Sequence, residues 1–243
     1  MSDSQQARIH GSPGEGARMA GIGRAGWPLL VALFCAGYVA GAVSGIHLSG
    51  WLAGLILLLV GVLLLLGTYA CCARVAAFFK GAAGEEQVAR VLGNLPAGFE
   101  VFHSLELGGG VLMWRQGDLD HLVVGPTGAF AIETKNWQGR VTLTDEGLLL
   151  DGRRPRRAPL AQVRQAVAAL QLRLGRAGVY HVPIVPVVCF ASDRFTAPPQ
   201  MVADAIVCNR ADLQAILTKP PSRAVAPADV AGLVRALTDS RPA

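Results

Sequence analysis

The sequence predicts an α/β domain, a mixed sheet flanked by helices, preceded by a two-helix transmembrane hairpin. Three observations carry this. Two uncharged apolar runs, Leu29 to Ile46 and Trp51 to Cys72, lie in the first third of the chain. From about Lys80 the composition becomes mixed, and short β-prone runs alternate with stretches of helical spacing. Within that part, two apolar, β-prone runs flank Gly125-Pro126-Thr127-Gly128, a strong turn signal.

Residues 1–26 are polar, glycine-rich and poor in aromatic side chains, and they read as a disordered tail. A secretory signal peptide is the rival reading, but the apolar run begins late and a second follows almost at once. About 20 apolar residues span a bilayer core, so Trp51 to Cys72 qualifies easily and Leu29 to Ile46 marginally. Residues 27–73 are therefore expected to form the hairpin, with a tight turn at His47 to Gly50. The turn has no Lys or Arg, whereas Arg8, Arg18, Arg24, Arg74 and Lys80 flank the outer ends. The positive-inside rule then predicts a multi-pass protein of the cell (inner) membrane, with its N-terminus and its C-terminal domain in the cytoplasm. Trp27, Trp51 and Tyr69 lie near span ends, where aromatic rings favour the interface. The alternative, a hairpin buried in a soluble protein, fits poorly with an uncharged run as long as the second. Gly37, Gly41 and Gly45, spaced four apart, either let the helices approach closely or reflect the abundance of glycine.

The chain is 52% hydrophobic, unevenly spread, with a formal charge of +5 over 243 residues. Cys35, Cys71, Cys72, Cys189 and Cys208 have neither zinc-finger nor Cys-x-x-Cys spacing, so no disulfide framework or zinc site is indicated. A reducing compartment suits the soluble part. Residues 80–243 are enough for one core.

In that part, Ala82 to Leu95 reads as a helix with Val88, Val91, Leu92 and Leu95 at helical spacing. Glu85 and Glu86 suit the dipole of its first turn. Phe99 to Leu107 reads as a strand ended by Gly108-Gly109-Gly110, and Asp118 to Lys135 as a β-hairpin. Arg140 to Leu143 and Leu148 to Leu150 read as short strands around Asp145-Glu146-Gly147. Pro159 to Leu174 is helical, with Leu160, Val163, Val167, Leu170 and Leu174 on one face. Val182 to Phe190 and Ala205 to Cys208 read as strands, and Ala211 to Leu217 and Ala228 to Leu237 as helices. Strands followed by helix, strand, strand and helix give a mixed sheet flanked by helices.

The hairpin carries the chemistry. If Gly125 faces Gly128, the register sets Asp120 opposite Glu133, and side-chain alternation puts Glu133 and Lys135 on one face. Directly opposed residues are roughly 4.5–5.5 Å apart at Cβ, and like charges there destabilise a sheet. A divalent cation between the carboxylates would turn that repulsion into ligation, and Lys135 would orient a water or offset developing charge. The bland alternative is a solvated polar face with a weak surface ion pair. Arg153, Arg154, Arg156 and Arg157, around Pro155, read either as a solvated loop or as contacts to phosphates.

Gly81-Ala-Ala-Gly84-Glu85, then Asp120-His121 before Leu-Val-Val-Gly-Pro-Thr-Gly, then Glu133-Thr-Lys135-Asn-Trp-Gln-Gly139, resemble the nuclease-related domain (NERD) family. The strand Val182 to Phe190, after the helix that carries Gln162, fits too, and the resemblance covers about Lys80 to Asp212. This family is similar to the PD-(D/E)xK nucleases, so the resemblance implies a restriction-endonuclease-like core. It implies Glu85 as the outer metal-site carboxylate, Asp120 and Glu133 as the metal-binding pair and Lys135 as the catalytic lysine. It implies Gln162 as the polar residue on the helix packed near the site, with Gln165 as the substitute.

The expected activity is hydrolysis of nucleic-acid phosphodiester bonds, with Mg²⁺ or Mn²⁺ as cofactor and DNA as the expected partner, next to a lipid bilayer. The arginines would hold the backbone without reading sequence. The alternative is a membrane-anchored nucleic-acid-binding or interaction module that keeps the fold without cleaving.

Overall fold

The computed structural model describes residues 6–45, 50–107, 119–144, 147–180, 182–219 and 227–238. The chain divides into two compact units, Gly16–Ala82 and a second one formed by Met1–Glu15 with Ala83–Ala243.

The first unit holds most of helix α1 (Glu15–Gly45) and the apolar part of α2 (Gly50–Leu92). Among the described residues one helix, α2, is long and apolar enough to cross a membrane, with a mean hydropathy of 2.6 in its best window. Among the described residues the apolar stretch of α1 is Trp27–Val43, at the lower limit of a span, and Pro28 lies inside the helix. The expected pair of spans is thus reduced to one clear candidate. Most of the expected turn, residues 46–49, lies outside the described residues.

The second unit is built on a seven-stranded mixed sheet. Its strands are β1 (Arg8–His10), β2 (Glu100–Leu105), β3 (Leu119–Gly125), β4 (Gly128–Lys135), β7 (Ile184–Phe190), β8 (Gln200–Val202) and β9 (Ala205–Asn209). Their spatial order is β1-β2-β3-β4-β7-β9-β8. The β2-β3-β4 meander is antiparallel, and β4, β7 and β9 run parallel. A separate hairpin, β5 (Val141–Thr144) with β6 (Gly147–Leu150), follows β4.

Helices cover both faces, as a parallel sheet centre requires. On one face lies α3 (Pro159–Arg176), which buries Leu160, Val163, Ala166, Leu170 and Leu174 at helical spacing. It shares that layer with Leu233 and Leu237 of α5 (Pro227–Thr238). On the other face, Val88 and Leu92 of α2 pack with Leu213 and Leu217 of α4 (Arg210–Thr218) over Val101, Val123 and Ile132. Asn209 caps α4 by accepting from the Ala211 and Asp212 N–H groups.

The tail expected to be disordered to residue 26 is corrected in part. Residues 8–10 form β1, a parallel strand that sets Arg8, Ile9 and His10 against Glu100, Val101 and Phe102, and α1 already starts at Glu15. Backbone pairing with the exposed edge of β2 is the physical reason. The Ala7 and Arg8 N–H groups donate to Leu95 and Phe99, and Glu100 takes a 2.6 Å contact from His10.

Candidate active site

The site grows from the β3–β4 hairpin. Gly125 lies opposite Gly128, with Pro126 and Thr127 at the tip, and the pairing runs to His121 opposite Ile132. Just beyond the last paired rung, Asp120 meets β4 through the Thr134 N–H. Gly125 does more than turn: a Cβ there would lie 2.3 Å from the Phe99 ring, so the position needs glycine to pack against β2. By alternation, Glu133 and Lys135 continue the face of Ala129 and Ala131, and Asp120 that of Leu122 and Val124. Those four apolar residues all belong to the layer under α3.

Hydrogen bonds fix the group. Asp120 Oδ2 accepts from the Thr134 N–H at 2.6 Å, and Lys135 Nζ donates to Glu133 Oε1 at 2.5 Å. Burial pushes the Asp120 carboxyl well above its usual range, and the charges of Glu133 and then Glu85 add to this. Lys135 and the Thr134 N–H oppose the shift. Asp120 thus registers the charges of Glu85, Glu133 and Lys135 together, although Glu85 comes from a helix and the others from the hairpin.

Glu85 is buried near the C-terminal end of α2, and its Oε2 accepts from the Gly14 N–H at 3.1 Å. Gly84 lets the helix come this close. A Cβ at that position would stand 2.6 Å from the Cβ of Asn136, the residue after Lys135. The Gly84-Glu85 pair therefore works as approach followed by reach.

Behind Asp120, on the other face, His103 and His121 sit opposite each other in β2 and β3 with Nδ1 to Nδ1 at 2.8 Å. One ring donates and the other accepts, so the accepting ring is neutral. Burial lowers His103 to about 4, and burial with the neighbouring His103 lowers His121. The pair ties β2 to β3 next to Asp120.

Gln162 lies near the start of α3, which packs on β4 and β7. Its Oε1 is buried without a hydrogen-bond partner among the described residues, whereas Gln165 is exposed. A buried, unsatisfied amide oxygen is costly and calls for a partner such as a water or a ligand. Arg153, Arg154, Arg156 and Arg157 lie in the exposed loop between β6 and α3, where a tight turn at Asp151 and Gly152 folds the Arg153 carbonyl back onto the Leu150 N–H. The structure thus places Glu133, Glu85 and Lys135 within electrostatic reach of Asp120 and leaves the arginines on the surface.

The donor set suits a hard divalent cation. Carboxylate oxygens are what Mg²⁺ and Mn²⁺ prefer, and the repulsion felt at Asp120 is what such an ion would relieve. Among the described residues no three His, Cys, Asp or Glu side chains are gathered as a ready-made ligand set. The Glu133 and Glu85 carboxylates lie near enough to raise Asp120, and Lys135 holds one oxygen of Glu133.

The sequence reading gave no role to Gly14, Asn136 or the histidine pair. Gly14 meets Glu85 across 71 positions of chain, which leaves no local signal. The histidine pair was legible in principle, since both residues fall in strands and share a register.

Residues 80–191 match the family model of the nuclease-related domain. An uncharacterized protein of Bacillus anthracis is 38% identical over 65 residues, 25% of this chain and 28% of that protein. The chain therefore spans about a quarter of that curated relative's length. No solved structure matches.

Proposed function

We propose, from the match of residues 80–191 to the nuclease-related domain family, that the protein is a membrane-anchored, metal-dependent nuclease. What supports this is a pair of contacts on one hairpin, Asp120 with the Thr134 N–H and Lys135 with Glu133, together with Glu133 and Glu85 close enough to raise Asp120. In this reading Asp120 and Glu133 hold Mg²⁺ or Mn²⁺, and Glu85 acts as the outer carboxylate. The bound ion supplies polarisation of a phosphoryl oxygen and a water of lowered pKa.

The remaining work falls to the chain's own groups. Lys135 shifts from Glu133 toward the attacking water and offsets charge developing on the phosphoryl group. The unsatisfied Gln162 amide oxygen orients that water or the phosphate. The arginines between β6 and α3 hold the nucleic-acid backbone, DNA being the proposed substrate, without reading bases. Helix α2 anchors the domain to the lipid bilayer, and α1 forms the second arm of a hairpin whose basic ends stay in the cytoplasm.

One observation favours a second reading. Glu133 is already ion-paired with Lys135, an arrangement that a nucleic-acid-binding module without cleavage would also keep. Metal binding tests the first requirement of the nuclease reading. Mn²⁺ titrated into the full chain in detergent should bind the wild type, and Asp120→Ala should weaken binding about tenfold or more. Equal binding by the two proteins would move the metal elsewhere.

A further inference from the structure

A polar cleft of about 370 Å³ opens one residue beyond the catalytic hairpin. It is lined among others by Gln87 of α2, Asn136 after β4, Ser192, Asp193 and Arg194 after β7, and Arg210 at the start of α4. This is the region outside the carboxyl ends of the parallel strands β4, β7 and β9, where open α/β sheets place ligands. The cleft is joined to the site by backbone. The Ala191 N–H donates to the Lys135 carbonyl at 2.9 Å, and Ser192 Oγ donates to the Trp137 carbonyl at 2.7 Å.

Its chemistry is that of an anion site held in reserve. One arm of the Arg210 guanidinium donates to Gln87 Oε1, which fixes the side chain against α2. The other arm donates to both oxygens of Asp193, at 2.9 and 3.3 Å. Asp193 is 86% exposed, so this ion pair sits in water and is readily exchanged. A phosphate presents the same pair of oxygens in the same fork geometry and carries more charge to share. Arg194, the second cation lining the cleft, has no ion-pair partner among the described residues.

We propose that this cleft binds a backbone phosphate of the nucleic acid next to the scissile one, with Arg210 and Arg194 as its ligands and Asp193 as a carboxylate that occupies Arg210 until the phosphate arrives. The proposal rests on the nuclease reading and deepens it. A carboxylate-rich site repels a polyanion, and a cationic cleft one residue away supplies the attraction that holds a strand across it.

The test uses the full chain in detergent with EDTA, so that nothing is cut, and a short fluorescent single-stranded oligonucleotide. Arg210→Gln and Arg194→Gln should each weaken binding about tenfold and reduce the slope of log affinity against log salt by about 0.7. Asp193→Asn should tighten binding severalfold at low salt, an outcome that loss of folding cannot imitate. If the wild type binds and, with Mn²⁺ restored, cleaves, while all three variants keep its affinity and slope, the cleft proposal falls and the nuclease reading stands. If the wild type neither binds nor cleaves, the nuclease reading falls and takes the cleft with it.

Discussion

Asp120 is the residue on which the others act. Its folded pKa lies above its unfolded value, so the fold prefers the protonated form. The sign follows from linkage: this group favours folding when the pH is below its folded pKa, and that contribution is lost as the pH rises through it. Above the unfolded value, and without metal, the preference of the folded state for the proton works against folding. Asp120→Asn mimics the protonated form and keeps an oxygen for the Thr134 N–H. Its thermal unfolding in EDTA should therefore report a gain of about 0.5–2 kcal/mol at neutral pH, shrinking toward acid. A loss of stability at neutral pH would mean that Asp120 is held by favourable pairing rather than by repulsion. At this scale the sequence was informative about local register, as in Gly125 opposite Gly128. It was silent on Thr134, whose N–H matters and whose side chain does not mark it.

At the scale of elements, legibility followed length and periodicity. The hairpin β3–β4, helix α3 and strand β7 were readable because each carries its own pattern of alternating or helically spaced apolar residues. Strands β1 and β8 were not, since each spans 3 residues and owes its conformation to a partner strand. The approach of Gly84 to Asn136 is likewise a property of two elements together. Helices α1 and α2 carry the element-scale prediction. Basic residues at the outer ends, and none in the turn, motivate a hairpin with both ends inside. Reporters fused after Lys80 and after Ala243 should both be active only in the cytoplasm. Activity on the outer side at either position would rule out the paired-span arrangement and leave α2 as a single crossing or as no crossing.

For the whole molecule, the formal charge of +5 conceals a division of labour. The carboxylates gather at the hairpin, arginines lie in the loop before α3 and in the cleft outside β7, and the apolar excess is concentrated in α1 and α2. Such a distribution suits a polyanion drawn to a negative site by its cationic surroundings. The nuclease reading is tested most directly by cleavage of DNA by the full chain in detergent, with Mg²⁺ or Mn²⁺. Glu133→Gln and Lys135→Ala should each cut roughly a hundredfold more slowly or worse, about 2.7 kcal/mol of barrier, with Lys135→Ala keeping most of its metal binding. Arg90→Ala, exposed on α2, should cut like the wild type, and EDTA should stop the reaction. A wild type that binds DNA and never cuts it, with either metal, would contradict this account in favour of a binding module, and cleavage that survives Glu133→Gln would place the site elsewhere.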